Sequence, residues 1–284
     1  MKNATKYEKK VRKLLASIDK SPREPPDEVD PFEILVVSVL QADASDKQVE
    51  KARAVLQEEF VDLNELRVAP TREIADCLGS SFPGARTKAH EITVALNGVF
   101  ARRNTLSFEH VEKMTKRDLR RHLAELGLRS YAAACMMLRV FEGHAVPVDQ
   151  SLADCLEIAK CIEPGSAIED VQSFLERVIL QKHALAAHEF FRQFVAESAR
   201  PLARKRKADA EARAKAEAEA KKAEEEARAK RRSQRAAEAR KARAKKARKR
   251  ARKPSASKKA GEAKTPKKRS ARRPAKRSAK KTGK

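Results

Sequence analysis

The sequence predicts an all-α protein. Apolar residues recur at helical spacing through the first 200 positions, and the alternating apolar and polar runs that indicate strands are missing. Aromatic residues, which are enriched in strands, make up only 4% of the chain. Residues 203–252 consist mainly of Ala, Lys, Arg and Glu, which are strong helix formers, and contain neither Gly nor Pro. Both the apolar and the charged parts of the chain are therefore expected to be helical.

Local signals predict the helices in the first part of the chain. Residues 1–19 have a charged amphipathic pattern, which the Pro-rich connector at residues 21–26 ends. Residues 31–42, PFEILVVSVLQA, are apolar on nearly all sides and predict a buried central helix. After a polar turn, a capping residue opens a helix that extends to about Phe60. Residues 71–78 predict a short helix that a glycine ends.

Six further helices are predicted before residue 200. They are expected at residues 85–102, 115–126 and 131–141, from Gln150 onward, and near 166–181 and 183–198. The N-caps expected for the second and fourth of these are Thr115 and Asp149. A tight connection joins the second helix to the third, and it consists of Gly127, Leu128, Arg129 and Ser130.

Charge is distributed unevenly along the chain, whose net charge is +25. Residues 201–284 contain 36 basic and 9 acidic side chains, whereas residues 1–200 contain 29 and 31. Such a polycationic segment indicates nucleic acid or an anionic membrane surface as its partner. No aromatic or Leu-rich face accompanies the charge, which favours nucleic acid over a membrane. Because no sequence-reading groups are present in it, its binding is expected to be non-specific.

These patterns divide the chain into four segments. Residues 1–27 form an N-terminal helix and connector, and residues 28–200 form a helical domain with an apolar core. Residues 201–252 predict a single charged helix, since Glu and Lys or Arg recur at four-residue offsets without an apolar stripe for a coiled coil. Residues 253–284 are expected to be disordered by composition. A monomer is expected.

Several classes of protein are disfavoured. The N-terminus is polar and charged, so no secretory signal is expected, and no apolar run reaches the length of a membrane span. The cysteines lack short paired spacings and are expected to be buried thiols; they are Cys77, Cys135, Cys155 and Cys161. His183 and His188 lie five residues apart and do not share a helix face well, so neither a metal nor another cofactor is expected. The expected location is cytoplasmic, on the DNA of the nucleoid.

One segment carries a functional signal. LAELGLRSYAAACMML, at residues 123–138, predicts a helix, a short Gly-containing hairpin and a second helix. Unpaired backbone N–H groups at such a hairpin and at the next helix N-terminus can hold a DNA phosphate. Further along, Asp149 follows Val-Pro-Val and precedes a predicted helix. From these residues alone, Asp149 is either a simple N-cap or a functional carboxylate.

This arrangement resembles the helix-hairpin-helix DNA glycosylases of the endonuclease III superfamily. Their hairpin has the form Leu-Pro-Gly-Val-Gly-x-Lys-x-Ala, and an Asp follows the Lys by eighteen residues. Aligning Gly127 and Ala133 with the first Gly and the Ala places Tyr131 at the Lys position, and Asp149 follows it by eighteen residues without a gap.

The resemblance extends toward the N-terminus. PFEILVVSVLQADASDKQVEKA, at residues 31–52, is similar to the N-terminal Phe-Glu-Leu-Leu helix of the family and its following turn. Residues 86–89, Arg-Thr-Lys-Ala, resemble the segment before the helices that support the hairpin. Together the similarities cover most of residues 28–198, in order and at matching spacing.

The resemblance implies a base-excision repair enzyme that binds DNA and extrudes a damaged base. Asp149 would stabilise an oxocarbenium-like sugar or activate water. Tyr131 would line the pocket, while the backbone at Gly127 and Arg129 would hold a phosphate. Asp43 takes the place of the family's Gln that fills the gap left by the extruded base, and it is expected beside the pocket.

Departures from the family pattern change the expected chemistry. Tyr131 cannot form the Schiff base that the family's Lys forms, so a monofunctional glycosylase is expected. Arg129 replaces the second Gly of the hairpin, Gln150 and Ser151 replace Thr and His, and no Cys follows Cys161 to build an iron–sulfur loop. The alternative is a catalytically inactive protein of this fold that acts as a non-specific architectural DNA-binding factor.

Each candidate residue also has a purely structural interpretation. Asp149 could only cap its helix, and Tyr131 could pack against the hairpin in the first helical turn. Arg129 could be a solvated surface charge rather than a phosphate contact. Lys88, a single Lys on an amphipathic helix, is expected to be exposed.

Overall fold

The computed structural model describes residues 4–17, 30–111 and 113–251. These residues are largely helical and include no strand, so the predicted all-α class is confirmed. The chain divides into two units, Met1–Ala214 and Lys215–Lys284. The predictions for the Pro-rich connector and for the disordered tail at 253–284 lie outside the described residues.

The first unit begins with eight α-helices and two short 3-10 turns. The helices are α1 (Ala4–Leu14), α2 (Pro31–Gln41), α3 (Asp46–Glu59), α4 (Leu63–Val68), α5 (Thr71–Leu78), α6 (Ala85–Arg103), α7 (Lys116–Glu125) and α8 (Ser130–Arg139). The 3-10 turns are Leu15–Ser17 and Glu109–Val111. Four helices follow, namely α9 (Gln150–Ile158), α10 (Ile168–Val178), α11 (Gln181–Glu197) and α12 (Ala199–Ala251).

Side-chain caps explain where several helices begin. Ser45 and Gln48 form a reciprocal capping box at the start of α3. Thr115 accepts a hydrogen bond from the backbone N–H of Asp118 and opens α7. The helix α4 was not predicted, although Asp62 followed by Glu65 is a capping signal, and Asp62 accepts hydrogen bonds from two backbone N–H groups there. A six-residue helix is too short to show a periodic apolar pattern.

Two hydrophobic clusters form the core of the first unit. The first cluster is contributed mainly by α2–α8, and among its buried residues are Leu35, Leu40, Ile74, Leu96 and Leu123. The helix α2 packs against α3, α6 and α8 and buries seven of its eleven residues, which confirms the prediction of a buried central helix. The second cluster joins α1, the segment after α8 and helices α9–α11, and among its buried residues are Val11, Val148, Leu156, Phe174 and Phe191.

The helix α12 changes character along its length. Leu202 in its first turn is buried, whereas every side chain that is described between residues 215 and 251 is exposed. The exposed part has the Ala, Lys, Arg and Glu composition that supports a helix without tertiary packing. Within the described ranges, no helix is both long enough and apolar enough to cross a membrane.

Candidate functional site

A pocket of about 400 Å³ is lined by residues from both hydrophobic clusters. Its walls come from the turn between α2 and α3, the start of α8, the start of α9, one face of α11 and the first turns of α12. Asp43, Tyr131 and Asp149 all line it. The fold therefore brings together three side chains that are far apart in the sequence and that the resemblance assigns to one pocket.

Asp149 is both the N-cap of α9 and a pocket residue. Its Oδ1 accepts a hydrogen bond of 2.8 Å from the backbone N–H of Leu152, and its Oδ2 accepts one of 2.8 Å from the backbone N–H of Asp43. The side chain is buried, and this burial, together with the nearby Asp43 carboxylate, raises the pKa of Asp149. The structural and the functional interpretations of this residue are thus compatible.

Asp43 forms a reciprocal contact with the start of α9. Its Oδ1 accepts hydrogen bonds from the backbone N–H of Ser151, at 2.8 Å, and from the Ser151 hydroxyl, at 2.6 Å. The Asp43 backbone has φ of +56°, a left-handed conformation that Asp tolerates better than most residues. A carboxylate is favourable here because it faces the positive end of the α9 helix dipole.

Two cations, the buried Lys88 and the half-buried Arg192, hold the turn that carries Asp43. The Lys88 ammonium donates to the carbonyl oxygens of Leu40 and Ala42, at 2.9 and 2.6 Å. The Arg192 guanidinium donates to the carbonyls of residues 41 and 44 and contacts the Asp46 carboxylate. These donors satisfy carbonyl groups that the end of α2 leaves without intrahelical partners.

The expectation that Lys88 is exposed was wrong. The residue is only 6% exposed, because its ammonium is needed at the negative end of the α2 dipole, where it also lies 4.6 Å from the centroid of the Phe82 ring. Burial lowers the pKa of Lys88 to about 8, and the carboxylates of Asp43 and Asp149 partly offset that effect.

The aromatic side of the pocket is uncharged at neutral pH. The Tyr131 ring lies 6.2 Å from the imidazole of His188, measured between ring centroids. Burial raises the pKa of Tyr131 and lowers the pKa of His188 to about 3. Among the described residues, the Tyr131 hydroxyl has no hydrogen-bond partner, although it is buried. Such a group costs about 1–3 kcal/mol of stability when nothing pairs it.

The hairpin between α7 and α8 pairs three successive N–H groups within the chain. Gly127 N–H donates to the carbonyl of residue 124, and Leu128 N–H donates to that of residue 123, which closes the end of α7. Arg129 N–H donates to Glu91 Oε1 at 2.8 Å. Two of these N–H groups, at Gly127 and Arg129, are the ones expected to hold a phosphate.

Glu91 was not recognised as a functional neighbour from the sequence. Its side chain is only 6% exposed, and its Oε2 lies 3.7 Å from Arg129 Nε. Burial raises the pKa of Glu91, while the Arg129 N–H and guanidinium partly offset that effect. The first-turn N–H groups of α8, which begins at Ser130, have no side-chain cap among the described residues, so they remain available as donors to a ligand.

The first turns of α12 are attached to α9. Lys205 Nζ lies 2.9 Å from Asp154 Oδ1 and 3.7 Å from a Glu157 oxygen. Arg206 Nη2 donates to the Ser151 hydroxyl at 2.7 Å and lies 3.7 Å from Asp43 Oδ1. These contacts could not be predicted from the sequence, since a uniformly charged segment has no apolar pattern that would indicate packing.

No group of three or more His, Cys, Asp or Glu side chains is arranged to hold a metal within the described part of the chain. The four cysteines are free thiols, and burial raises the pKa of Cys135 to about 12 and that of Cys155 to about 11. Such thiols are unreactive near neutral pH.

The fold is that of the helix-hairpin-helix DNA glycosylases. The sequence matches no family profile and no curated protein. One similar solved structure is endonuclease III trapped in a covalent complex with DNA, which is 18% identical, has a TM-score of 0.50, and is matched over 68% of this chain and 86% of that chain. Another is the 8-oxoguanine glycosylase/lyase of Clostridium acetobutylicum in complex with double-stranded DNA, which is 15% identical, has a TM-score of 0.50, and is matched over 69% of this chain and 71% of that chain.

Proposed function

We propose that this protein binds double-stranded DNA and acts as a monofunctional DNA N-glycosylase in base-excision repair. The observation that carries the proposal is the buried Asp149 carboxylate on the wall of a pocket of about 400 Å³, beside Tyr131. That volume is within the range of small-ligand sites and is sufficient for one nucleobase. The similar solved structures are glycosylases in complex with DNA, which supports the same ligand for this chain.

In the proposed reaction, Asp149 stabilises positive charge on the sugar as the damaged base departs. The base leaves with the electrons of the N-glycosidic bond and takes a proton from solvent, and a water oxygen then bonds to the sugar carbon as its proton passes to Asp149. Two backbone N–H groups hold the Asp149 carboxylate, so little reorganisation is needed during the reaction. Its raised pKa also strengthens it as a base toward that water.

Tyr131 determines what the reaction lacks. A phenol has no amine with which to form a Schiff base on the sugar, so the DNA strand stays intact after the base has left. The product is then an abasic site that alkali can cleave. Asp43 orders the start of α9 through its hydrogen bonds from Ser151, which keeps Asp149 in position.

The hairpin contacts one DNA phosphate through the first turn of α8. Because the N–H groups of Gly127 and Arg129 are already paired, the donors are those that begin at Ser130. The Arg129 guanidinium, with 67% of its side chain exposed, adds a charge contact to the same phosphate. Leu128 contributes no free N–H, since its own donates to residue 123.

Residues 231–284 attach the enzyme to DNA without sequence preference. They contain 26 basic and 2 acidic side chains. Neutralising DNA phosphates releases counterions, so the affinity falls steeply as the salt concentration rises. A plot of log affinity against log salt concentration falls with a slope of roughly 0.9 per phosphate contact. A tethered cationic segment also raises the effective concentration of the pocket near DNA.

A second candidate function is DNA binding without catalysis, as an architectural factor. Two observations favour it. Tyr131 stands where the resembling family has its reactive Lys. In addition, the Glu91 carboxylate accepts the hydrogen bond of the Arg129 N–H, which the resemblance assigns to a DNA phosphate.

Single-turnover cleavage distinguishes the two functions. Duplexes carrying uracil, thymine or 8-oxoguanine mispairs, or 3-methyladenine, are incubated with excess protein and then treated with alkali. We expect alkali-dependent breaks with the wild type, and a loss of about 10²-fold or more in rate with Asp149→Asn. The matched control is Asp62→Asn, because Asp62 also caps a helix but does not line the pocket.

Two results contradict the proposed enzyme. Breaks without alkali would show that a lyase operates. No breaks on any duplex, combined with tight and salt-sensitive binding, would favour the architectural function.

A further inference from the structure

The first turns of α12 form one wall of the pocket. The residues that line it follow the pattern i, i+3, i+4 and i+7, which places them on one face of the helix; they are Ala199, Leu202, Ala203 and Arg206. The ion pair between Lys205 and Asp154 fixes this face against α9, the helix that Asp149 caps. The chain therefore begins its long charged helix inside the candidate active site.

Most polar groups of the pocket are already paired. Both oxygens of Asp149 accept backbone N–H groups, and Ser45 and Gln48 bond to each other in a capping box. The Arg192 guanidinium donates to two backbone carbonyls and to Asp46. The Ser151 hydroxyl donates to Asp43 and accepts from Arg206. Asp149 uses one lone pair of each oxygen for these bonds and keeps the others for the proposed reaction, whereas the remaining groups have their main hydrogen-bonding capacity occupied.

Arg206 and Asp43, in contrast, each keep hydrogen-bonding groups that are available to a ligand. A guanidinium has five N–H donors, and among the described residues the hydrogen bond of Arg206 is the one from Nη2 to Ser151. Its Nε also lies 3.8 Å from Asp154 Oδ2, but the side chain is 47% exposed, so the remaining N–H donors on Nη1 and Nη2 are accessible. Asp43 bonds through Oδ1, and its Oδ2 has no hydrogen-bond partner among the described residues.

The two groups lie next to each other, with 3.7 Å between Arg206 Nη2 and Asp43 Oδ1. A donor beside an acceptor is complementary to a nucleobase edge that presents an acceptor beside a donor, as an unsubstituted Watson–Crick edge does. Apolar side chains of the same pocket, Leu202 and Phe191, are suited to the faces of the base.

We propose that Arg206 and Asp43 recognise the Watson–Crick edge of the extruded base, and that α12 thereby supplies a specificity-determining wall of the pocket. This proposal rests on the proposed glycosylase function. The ligand is an extruded nucleobase whose Watson–Crick edge carries no alkyl group. A base methylated on that edge loses the donor that Asp43 accepts and collides with the pair.

The test measures equilibrium binding of the full-length protein to DNA probes by fluorescence anisotropy. The probes are duplexes that each carry one unpaired base opposite an abasic analogue, so that pairing does not affect extrusion. The bases are uracil and 3-methyluracil, hypoxanthine and 1-methylhypoxanthine, and 8-oxoguanine and its 1-methyl derivative. A fully paired duplex measures non-specific affinity.

The variants are Arg206→Ala and Arg206→Lys, with Arg204→Ala as the matched control. Arg204 is exposed on the same helix and outside the pocket, so its substitution removes the same charge from the DNA-binding surface. We expect the wild type to bind at least one unsubstituted base about tenfold more tightly than its methylated analogue. Arg206→Ala should abolish that difference, Arg206→Lys should retain part of it, and Arg204→Ala should retain all of it.

If Arg206 has only a structural role, Arg206→Ala should weaken binding of the unsubstituted base and of its methylated analogue equally, and the ratio of the two affinities should not change. That result would overturn this inference but not the proposed function. If the wild type binds no unpaired base more tightly than the fully paired duplex, the proposed function fails, and this inference fails with it. The two failures are therefore distinguishable from the wild-type data.

Discussion

At the hairpin of residues 127–130, three successive backbone N–H groups donate to acceptors of the chain itself. In the pocket beside Asp149, by contrast, Arg206, one oxygen of Asp43 and the hydroxyl of Tyr131 lack partners for part of their capacity. Both regions resemble the same family in sequence. The comparison teaches that a motif fixes the path of the chain, whereas the pairing of its polar groups determines what a ligand can contact.

The difference has a physical origin in each region. The hairpin must satisfy the N–H groups that follow α7, and the buried Glu91 supplies an acceptor without needing DNA. The pocket is instead held from beneath by Lys88 and Arg192, whose donors fix the backbone of the Asp43 turn. On the open side of that turn, Asp43 Oδ2 has no hydrogen-bond partner among the described residues, because the backbone of the turn is already held by these two cations.

The largest effect is expected from Lys88→Met, which removes the support under the pocket. The carbonyls of Leu40 and Ala42 lose their donor, and each unsatisfied group costs about 1–3 kcal/mol. Relief of the buried charge offsets part of that, so we expect the free energy of unfolding to fall by about 3 kcal/mol in urea denaturation. Lys51→Met, at an exposed position on α3, is the control. Equal stabilities of the two variants would contradict the supporting role.

A somewhat smaller effect is expected at the hairpin from Gly127→Ala. Gly127 has φ of +86°, and a Cβ there would lie 2.6 Å from Val94 Cγ1. Strain and overpacking together should lower the free energy of unfolding by about 2 kcal/mol. Gly84→Ala separates the two causes, because its φ is +66° and the space around it is open. If both variants lose the same stability, the contact with Val94 has no energetic consequence.

The buried His188 in the pocket should make the stability of the protein depend on pH. Its folded pKa of about 3 lies below the unfolded value of 6.5, so the unfolded chain binds the proton first as pH falls. Stability contributed by the neutral imidazole is present above pH 6.5 and is lost as pH falls toward 3. Between pH 7 and 5 we expect the free energy of unfolding to fall by about 1–2 kcal/mol. Thermal unfolding at a series of pH values measures this change.

The same pH series on two variants assigns that loss to its source. His188→Gln should flatten the dependence, whereas His90→Gln, at an exposed position, should not change it. An unchanged slope in His188→Gln would show that His188 is not the group that titrates.

The smallest effect is expected from Glu91→Gln at the hairpin. The amide oxygen can still accept from the Arg129 N–H, but the negative charge beside the DNA phosphate is removed. We expect DNA affinity to rise by roughly two- to fivefold at low salt, measured by anisotropy. Glu125→Gln removes an exposed charge at the end of α7 and should change affinity less. A fall in affinity with Glu91→Gln would show that the carboxylate orders the hairpin for DNA.

Helix positions were predictable where local signals exist. A Pro marks the start of α2, a capping box marks the start of α3, and a glycine follows the last residue of α5. The predicted bounds of these helices agree with the structure to within one or two residues. Short α4 was missed because six residues show no period. The long helix over 203–252 was predicted from composition and is observed as Ala199–Ala251.

The candidate site was only partly predictable. Asp43, Tyr131 and Asp149 could be named because the family resemblance marks their positions. Lys88, Glu91 and Arg206 could not, because a single charged residue on a helix has the same local pattern whether it is exposed or bonded. Their partners lie 38 to 55 residues away in the chain, and only the tertiary fold brings them together.

The most direct test of the central claim measures base extrusion itself. A duplex carries 2-aminopurine as a mispaired base, whose fluorescence rises when it leaves the stack. We predict a rise on binding of the wild type and of Asp149→Asn, since extrusion precedes chemistry. Ala203→Trp, which fills the pocket from α12, should abolish the rise, whereas Ala208→Trp on the same helix should not. A full rise with Ala203→Trp, or none with the wild type, would contradict the assignment of this pocket to an extruded base.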